Sequence, residues 1–272
     1  MPSPRLVFLD IDGTYAFHGA VPPEHVDAVR AARSNGHRVL LCTGRPRATV
    51  SDRLLAAGFD GVVAGAGAYA ELDGEVLRDE TFPADVAAKS IAALDRHHAV
   101  SLVEATEAMY VRTEGREAMD SRAPGSGSSQ EEVWRDLLAG RRVVETFDGL
   151  AFCKVVTLSA DVPLSEIAAE IGPEVAAVDT SIRDLGRGAG ELYLAHITKE
   201  VGMRAVVDRL GLTAADVVAA GDGPNDIEMI RYAGTAIGIE GGHSDVLANA
   251  DVVVPGPDHA GLVQGFERVG LI

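Results

Sequence analysis

Short apolar runs alternate with longer amphipathic stretches at the start of the chain: "RLVFLD", "PEHVDAVRAARSNG", "HRVLLCTG", "RATVSDRLLAAG" and "FDGVVAG" follow one another over residues 5–65. The first, third and fifth are continuous apolar blocks bounded by turn formers, the pattern of strands covered on both faces. The second and fourth have helical spacing. In the second, Val26, Val29, Ala32 and Arg33 follow that spacing, Pro23 suits a first turn and Gly36 a C-terminal cap. Strands alternating with helices predict βαβ units and a parallel sheet. "GAYAELDGEVL" then sets Asp73-Gly74 between two short runs, a type I′ hairpin signal.

From about Ala84 the rhythm changes. A helix "ADVAAKSIAALDRHH" leads to "VSLVEA" and "AMYVRT", which read as an antiparallel pair, and "DSRAPGSGSSQEE" reads as an exposed loop before the helix "EEVWRDLLAG". "CKVVTLSA", the helix "PLSEIAAEIG", "EVAAVDTSI" and "ELYLAHI" complete an α+β region. The βα alternation then returns as helix "KEVGMRAVVDRLG", strand "DVVAAGD", helix "NDIEMIRYAG", strand "TAIGIE", helix "SDVLANA" and strand "DVVVPG". The expected fold class is α/β: a doubly wound, parallel, Rossmann-like sheet built from residues 1–83 and 191–272, with an inserted α+β domain at 84–190.

Composition narrows the partners. The chain has 272 residues, 47% of them hydrophobic, with 41 acidic against 24 basic residues and a formal charge of −17. That balance excludes a nucleic acid or anionic membrane held by bulk electrostatics, so an anionic substrate must meet local cations. Two cysteines, Cys42 and Cys153, lack any metal-binding spacing and suit a reducing cytoplasm. The apolar run near the N-terminus is too short for a signal-peptide core, and no window is long enough to span a membrane.

In a doubly wound sheet, ligands bind beyond the carboxyl ends of the strands. There the sequence puts Asp10, Asp12, Gly13 and Thr14 after the first strand, Thr43, Gly44 and Arg45 after the second, and Asp222, Gly223, Asn225 and Asp226 after "DVVAAG"; Lys199 opens the preceding helix. Carboxylates from distant segments at one sheet edge call for a cation. An all-oxygen set without Cys or His favours Mg²⁺, which points to phosphate chemistry. Thr43 offers a hydroxyl, Gly13 and Gly44 allow close approach, and Lys199 supplies a point charge. Asp10 is the natural nucleophile, and Asp12, one residue removed, suits the acid/base role.

"DIDGT", "LLCTGR", Lys199 and "GDGPND" resemble, in order, the four motifs of the haloacid dehalogenase superfamily of phosphatases, and the inserted domain resembles the cap of its Cof-like class IIB branch. The resemblance implies that Asp10 is phosphorylated and ligates Mg²⁺, and that Asp12 is the acid/base and binds the metal through its carbonyl. It implies further that Thr43 and Asn225 contact the phosphoryl group and that Lys199 neutralises Asp10 and the phosphate. Asp222 would ligate Mg²⁺ directly, and Asp226 would act through a metal-bound water or from behind a ligand. The chain departs from the pattern in "LAHITKEVG", where Glu200 follows the lysine, and at Tyr15, where leucine is common.

The implied activity is Mg²⁺-dependent hydrolysis of a small phosphorylated metabolite, a sugar phosphate being one candidate. The alternatives are a phosphomutase or phosphotransferase using the same phosphoenzyme, and a non-catalytic binding protein on this fold. The remaining polar residues have plainer readings. His97, His98 and His18 read as surface groups and Cys42 as core, while Arg112, Arg116, Arg183 and Arg187 in or near the insert are surface charges or readers of a second anionic group.

Overall fold

Leu6 to Leu9 form the first strand because every side chain there has an apolar layer to enter. Leu6 and Phe8 point to one face of the sheet, Val7 and Leu9 to the other, and all four are fully buried. The computed structural model describes residues 4–125, 127–128, 130–179 and 186–272. Its first section runs β1 (Leu6–Leu9), α1 (Pro23–Ser34), β2 (Arg38–Cys42), β3 (Gly61–Ala64), β4 (Tyr69–Leu72), β5 (Glu75–Asp79). The middle section runs α2 (Ala84–Arg96), β6 (Val100–Glu104), β7 (Met109–Val111), α3 (Thr113–Arg122), α4 (Glu131–Ala139), β8 (Arg141–Val143), β9 (Lys154–Ser159), α5 (Leu164–Ile171), β10 (Val175–Asp179), β11 (Gly190–Leu194). The last runs α6 (Lys199–Leu210), β12 (Val217–Gly221), α7 (Ile227–Tyr232), β13 (Thr235–Ile239), α8 (Ser244–Asn249), β14 (Val252–Val254), α9 (Gly261–Arg268).

The larger sheet has the order β14-β13-β12-β1-β2-β3-β4-β5. Its first six strands are parallel, and β4 and β5 add an antiparallel edge hairpin. From β1 the chain builds toward β2 and β3 on one side and returns through β12, β13 and β14 on the other. The crevice between β1 and β12 is therefore the topological switch point, where such sheets bind ligands. Helices α1 and α9 cover the face of Val7, Leu9, Val39 and Ala220; α6 and α7 cover that of Phe8, Leu40, Cys42 and Ala219.

The second sheet has the order β10-β11-β9-β6-β7-β8, antiparallel except for the β7–β8 pair. Val103, Val155, Leu192 and Leu194 face α2 and α5. The opposite face packs Leu102 and Leu158 against Met119 of α3 and Trp134 and Leu137 of α4. By the two-residue alternation of a strand, Glu104 and Lys154 also lie on this opposite face.

The hairpin at Asp73-Gly74 has both residues at positive φ (52° and 80°), as a type I′ turn requires. "RATVSDRLLAAG" departs from the expected helix: one 3₁₀ turn at Arg47–Thr49 gives way to Val50 at φ −83°, ψ 90°, followed by turns. Val50 and Leu54 are buried there, and Arg53 donates to the Gly19 carbonyl and to Asp136, so tertiary contacts override local preference. Asp120–Arg122, read as loop, are the end of α3. Residues 126 and 129 of the Gly/Ser stretch, and 180–182 of "EVAAVDTSI", lie outside the described residues. Among the described residues no helix is long and apolar enough to cross a membrane.

Candidate active site

Asp10 leaves β1 at the switch point, its backbone N–H donating to the Ala220 carbonyl at 2.9 Å. The chain then reverses. Gly13 sits at φ +97°, its N–H donating to the Ala16 carbonyl, while the Tyr15 N–H donates back to the Asp10 carbonyl. This tight loop aims the Thr14 hydroxyl at Asp222, to whose Oδ1 it donates at 2.8 Å. Beyond β12 a 3₁₀ turn over Pro224–Asp226 folds Asp226 back, so its Oδ2 accepts from the Asp222 and Gly223 backbone N–H groups at 3.0 and 2.9 Å.

Lys199, at the start of α6, is 1% exposed and donates to Asp10 Oδ1 and Asp226 Oδ1, each at 2.5 Å. Carboxylate oxygens of Asp10, Asp222 and Asp226 lie within 4.8 Å of one another, a set that could hold a metal ion. Burial drives the Asp10 pKa well above its usual range; the Lys199 ammonium opposes this and the Asp226 charge adds to it. Burial also raises that of Asp222, against the Thr14 hydrogen bond. Burial alone would lower the Lys199 pKa, but Asp10 and Asp226 outweigh it, so the amine stays charged. An all-oxygen acidic group, with Asp10 and Asp226 buried and Asp222 partly so, fits a hard divalent cation on donor chemistry alone.

The other sequence-predicted residues lie around this trio. Thr43 directly follows β2, 1% exposed, its backbone N–H on the Val63 carbonyl and its hydroxyl oxygen accepting from the Arg45 N–H at 3.1 Å. The Asn225 amide nitrogen would stand 3.2 Å from a Cβ added at Gly44, so glycine there lets the two loops close together. Asp12 is set apart from the trio. Its side chain is 48% exposed, and Arg45 grips both carboxylate oxygens, Nε to Oδ2 at 2.7 Å and a terminal nitrogen to Oδ1 at 2.6 Å. The third nitrogen of Arg45 reaches Asp136 of α4 at 3.3 Å, and Arg53 holds that same carboxylate at 2.7 Å.

Arg45 and Thr14 stood in the quoted motifs with no role assigned, although an arginine after Thr43-Gly44 at a strand end is a signal. Asp136 gave no signal, because only the tertiary fold brings it to two arginines. Of the insert's arginines, Arg112 pairs with Asp95 and stacks over Phe147, Arg116 pairs with Glu117 and Asp120, and Arg187 is exposed. Arg183 lies outside the described residues. His97 and His98 meet Glu170 and Asp161, and His18 meets Gln130. Cys42 is buried in the core, where desolvation pushes its thiol far up.

Gly13 gives a direct check on the trio. A Cβ there would stand 2.5 Å from Asp222 Oδ2 on a backbone that side chains rarely adopt. Gly13→Ala is expected to cost about 1–3 kcal/mol of stability and to displace Asp222, weakening divalent-ion binding. Thermal unfolding and a metal titration read both effects; a variant unchanged in each would contradict this geometry.

Similarity to known proteins points to one family. A family model described as haloacid dehalogenase-like hydrolase matches residues 7–266. YkrA of Bacillus subtilis (strain 168), itself assigned as a phosphatase, is 24% identical over 271 residues, 98% of each chain. The Escherichia coli (strain K12) 5-amino-6-(5-phospho-D-ribitylamino)uracil phosphatase YbjI is 27% identical over 128 residues, 46% of this chain and 47% of that one. The solved structure of a subclass IIB sugar phosphatase of the superfamily shares the fold at a TM-score of 0.76 and 21% identity, over 98% of this chain and 100% of the other. The family match spans nearly the whole sequence, including both ends of the larger sheet, and the chain belongs to the haloacid dehalogenase-like hydrolases.

Proposed function

We propose that the protein is a Mg²⁺-dependent phosphatase that hydrolyses a small phosphorylated metabolite through an aspartyl-phosphate on Asp10. The observation that carries this reading is the buried Lys199 between Asp10 and Asp226, with Asp222 beside them and the Thr43 loop adjoining. Asp10 and Asp222 would hold the metal. Asp226 supports from behind, since one of its oxygens serves Lys199 and the other two backbone N–H groups. Bound Mg²⁺ would supply charge neutralisation for the phosphoryl oxygens.

In the first step an Asp10 oxygen bonds to phosphorus as the ester P–O bond breaks, and Asp12 gives its proton to the departing alkoxide. For this, Asp12 must give up at least one of its bonds to Arg45. In the second step water bonds to phosphorus, Asp12 takes its proton, and the P–O bond to Asp10 breaks to free phosphate. Thr43, the Gly13 and Gly44 backbones, Asn225 and Lys199 bind the phosphoryl group, and the Lys199 ammonium favours the ionised form of Asp10 against the burial that raises its pKa.

Residues 84–190 form a cap over the core in this reading. The contacts of Lys154 with Gly44, and of Asp136 with Arg45 and Arg53, support it. Two free, buried cysteines suit a reducing cytoplasm. Phosphate release from a panel of phosphorylated metabolites is expected with Mg²⁺, to fall at least about a hundredfold in EDTA, and to return on adding Mg²⁺. No release from any phosphomonoester would refute the reading.

A further inference from the structure

One charged cluster outside the carboxylate trio ties the two sheets together. Lys154, the first residue of β9, is only 4% exposed, yet its ammonium donates to the Gly44 carbonyl oxygen at 2.9 Å. Glu104 Oε2 on β6 lies 3.0 Å from the same nitrogen and Glu191 Oε1 on β11 lies 3.3 Å away. The Gly44 carbonyl takes one of the ammonium's protons as a hydrogen bond, and the two carboxylates flank it as ion-pair partners. Among the described residues the one hydrogen bond of Lys154 goes to the loop after β2. What it does, it does through the groups it holds.

The Gly44 carbonyl belongs to the same planar peptide unit as the Arg45 N–H, and that N–H donates to Thr43 Oγ1 at 3.1 Å. Fixing the carbonyl fixes the N–H, and the N–H occupies one lone pair of the Thr43 hydroxyl. The hydroxyl proton is left to point away from that bond, available to an anion. Glu104 and Glu191 hold the ammonium in place from the far side. Burial lifts the Glu104 carboxyl to about 7, with Lys154 opposing the shift and Glu191 adding to it.

We propose that Lys154 is a positioning residue for the phosphoryl group: reaching from the second sheet, it holds the Gly44–Arg45 peptide and through it aims the Thr43 hydroxyl. The anion site is then complete only while the second sheet is seated on the loop after β2. This rests on the phosphatase reading above, but its test does not need turnover.

The test measures binding of inorganic phosphate by calorimetry with Mg²⁺ present. Because Lys154→Met strands Glu104 in a buried site, Lys154→Met/Glu104→Gln removes both charges together and preserves the fold. Each variant is expected to bind phosphate about tenfold to a hundredfold more weakly than wild type. Thr43→Ala alone is expected to show a similar loss, and adding Lys154→Met to it to change binding by no more than about twofold, because both act through one hydroxyl. Unchanged phosphate binding in Lys154→Met/Glu104→Gln, losses that multiply in Thr43→Ala/Lys154→Met, or no phosphate binding by the wild type would each overturn the proposal. A wild type that binds phosphate with this variant pattern but hydrolyses no phosphomonoester would support it while removing the phosphatase reading.

Discussion

An Asp10→Asn variant is expected to lose phosphatase turnover by on the order of 10⁴-fold or more while keeping its fold. The amide has the size and shape of the carboxylate but cannot open the covalent step. The fold survives because the site stays balanced: Lys199 keeps Asp226 as its partner at 2.5 Å, and the trio of Asp10, Asp222 and Asp226 loses one of its mutually repelling charges. Burial already pushes Asp10 toward its neutral form in the metal-free protein, so a neutral side chain suits the cavity. The measurement pairs phosphate release with thermal unfolding in EDTA. Full activity in this variant would remove Asp10 as nucleophile. Lost activity with a collapsed melting transition would show instead that the carboxylate is needed for folding.

What was legible in the sequence had local signatures. "LVFL" and "RVLLC" read as doubly covered strands because alternate residues enter two apolar layers, and both layers are present. Asp73-Gly74 read as a turn because its backbone demands positive φ. Asp10 and Asp222 were legible as acids at the few strand ends of the switch point and Lys199 as the lysine opening the helix before β12, and the structure brings the three together. Residues whose roles depend on distant partners were not found. Arg53 leaves a helix-like stretch to serve Asp136, more than eighty residues away in the chain, and Asp136 is an ordinary helix acid until two arginines surround it. Asp12 itself was legible, but not its pairing with Arg45. Two residues from Asp10 it shares the sheet edge, but the reversal at Gly13 turns its carboxylate out to Arg45. Lys154 looked like any lysine of the insert; only the stacking of one sheet on the other's loop gives it Gly44.

Lys199→Met is expected to be among the most destabilising single substitutions in the chain, costing about 3–5 kcal/mol in the absence of metal. Lys199 is 1% exposed, and methionine fills much of its volume, so the loss is electrostatic rather than a cavity. Without the ammonium, Asp10 and Asp226 are left buried and facing each other, with two backbone N–H groups for Asp226 and none of that help for Asp10 Oδ1. At about 2–4 °C per kcal/mol for a chain of this size, the melting temperature in EDTA should fall by roughly 10 °C. Two controls isolate the cause. Asp10→Asn/Lys199→Met removes one stranded charge with the lysine and should recover a good part of the loss, an interaction energy that independent sites would not show. Added Mg²⁺ should narrow the gap to wild type, because a cation among the same carboxylates binds only the folded chain. A Lys199→Met protein as stable as wild type in EDTA would mean that the carboxylates relax by protonation at little cost, and the lysine would then serve the phosphoryl group rather than the fold.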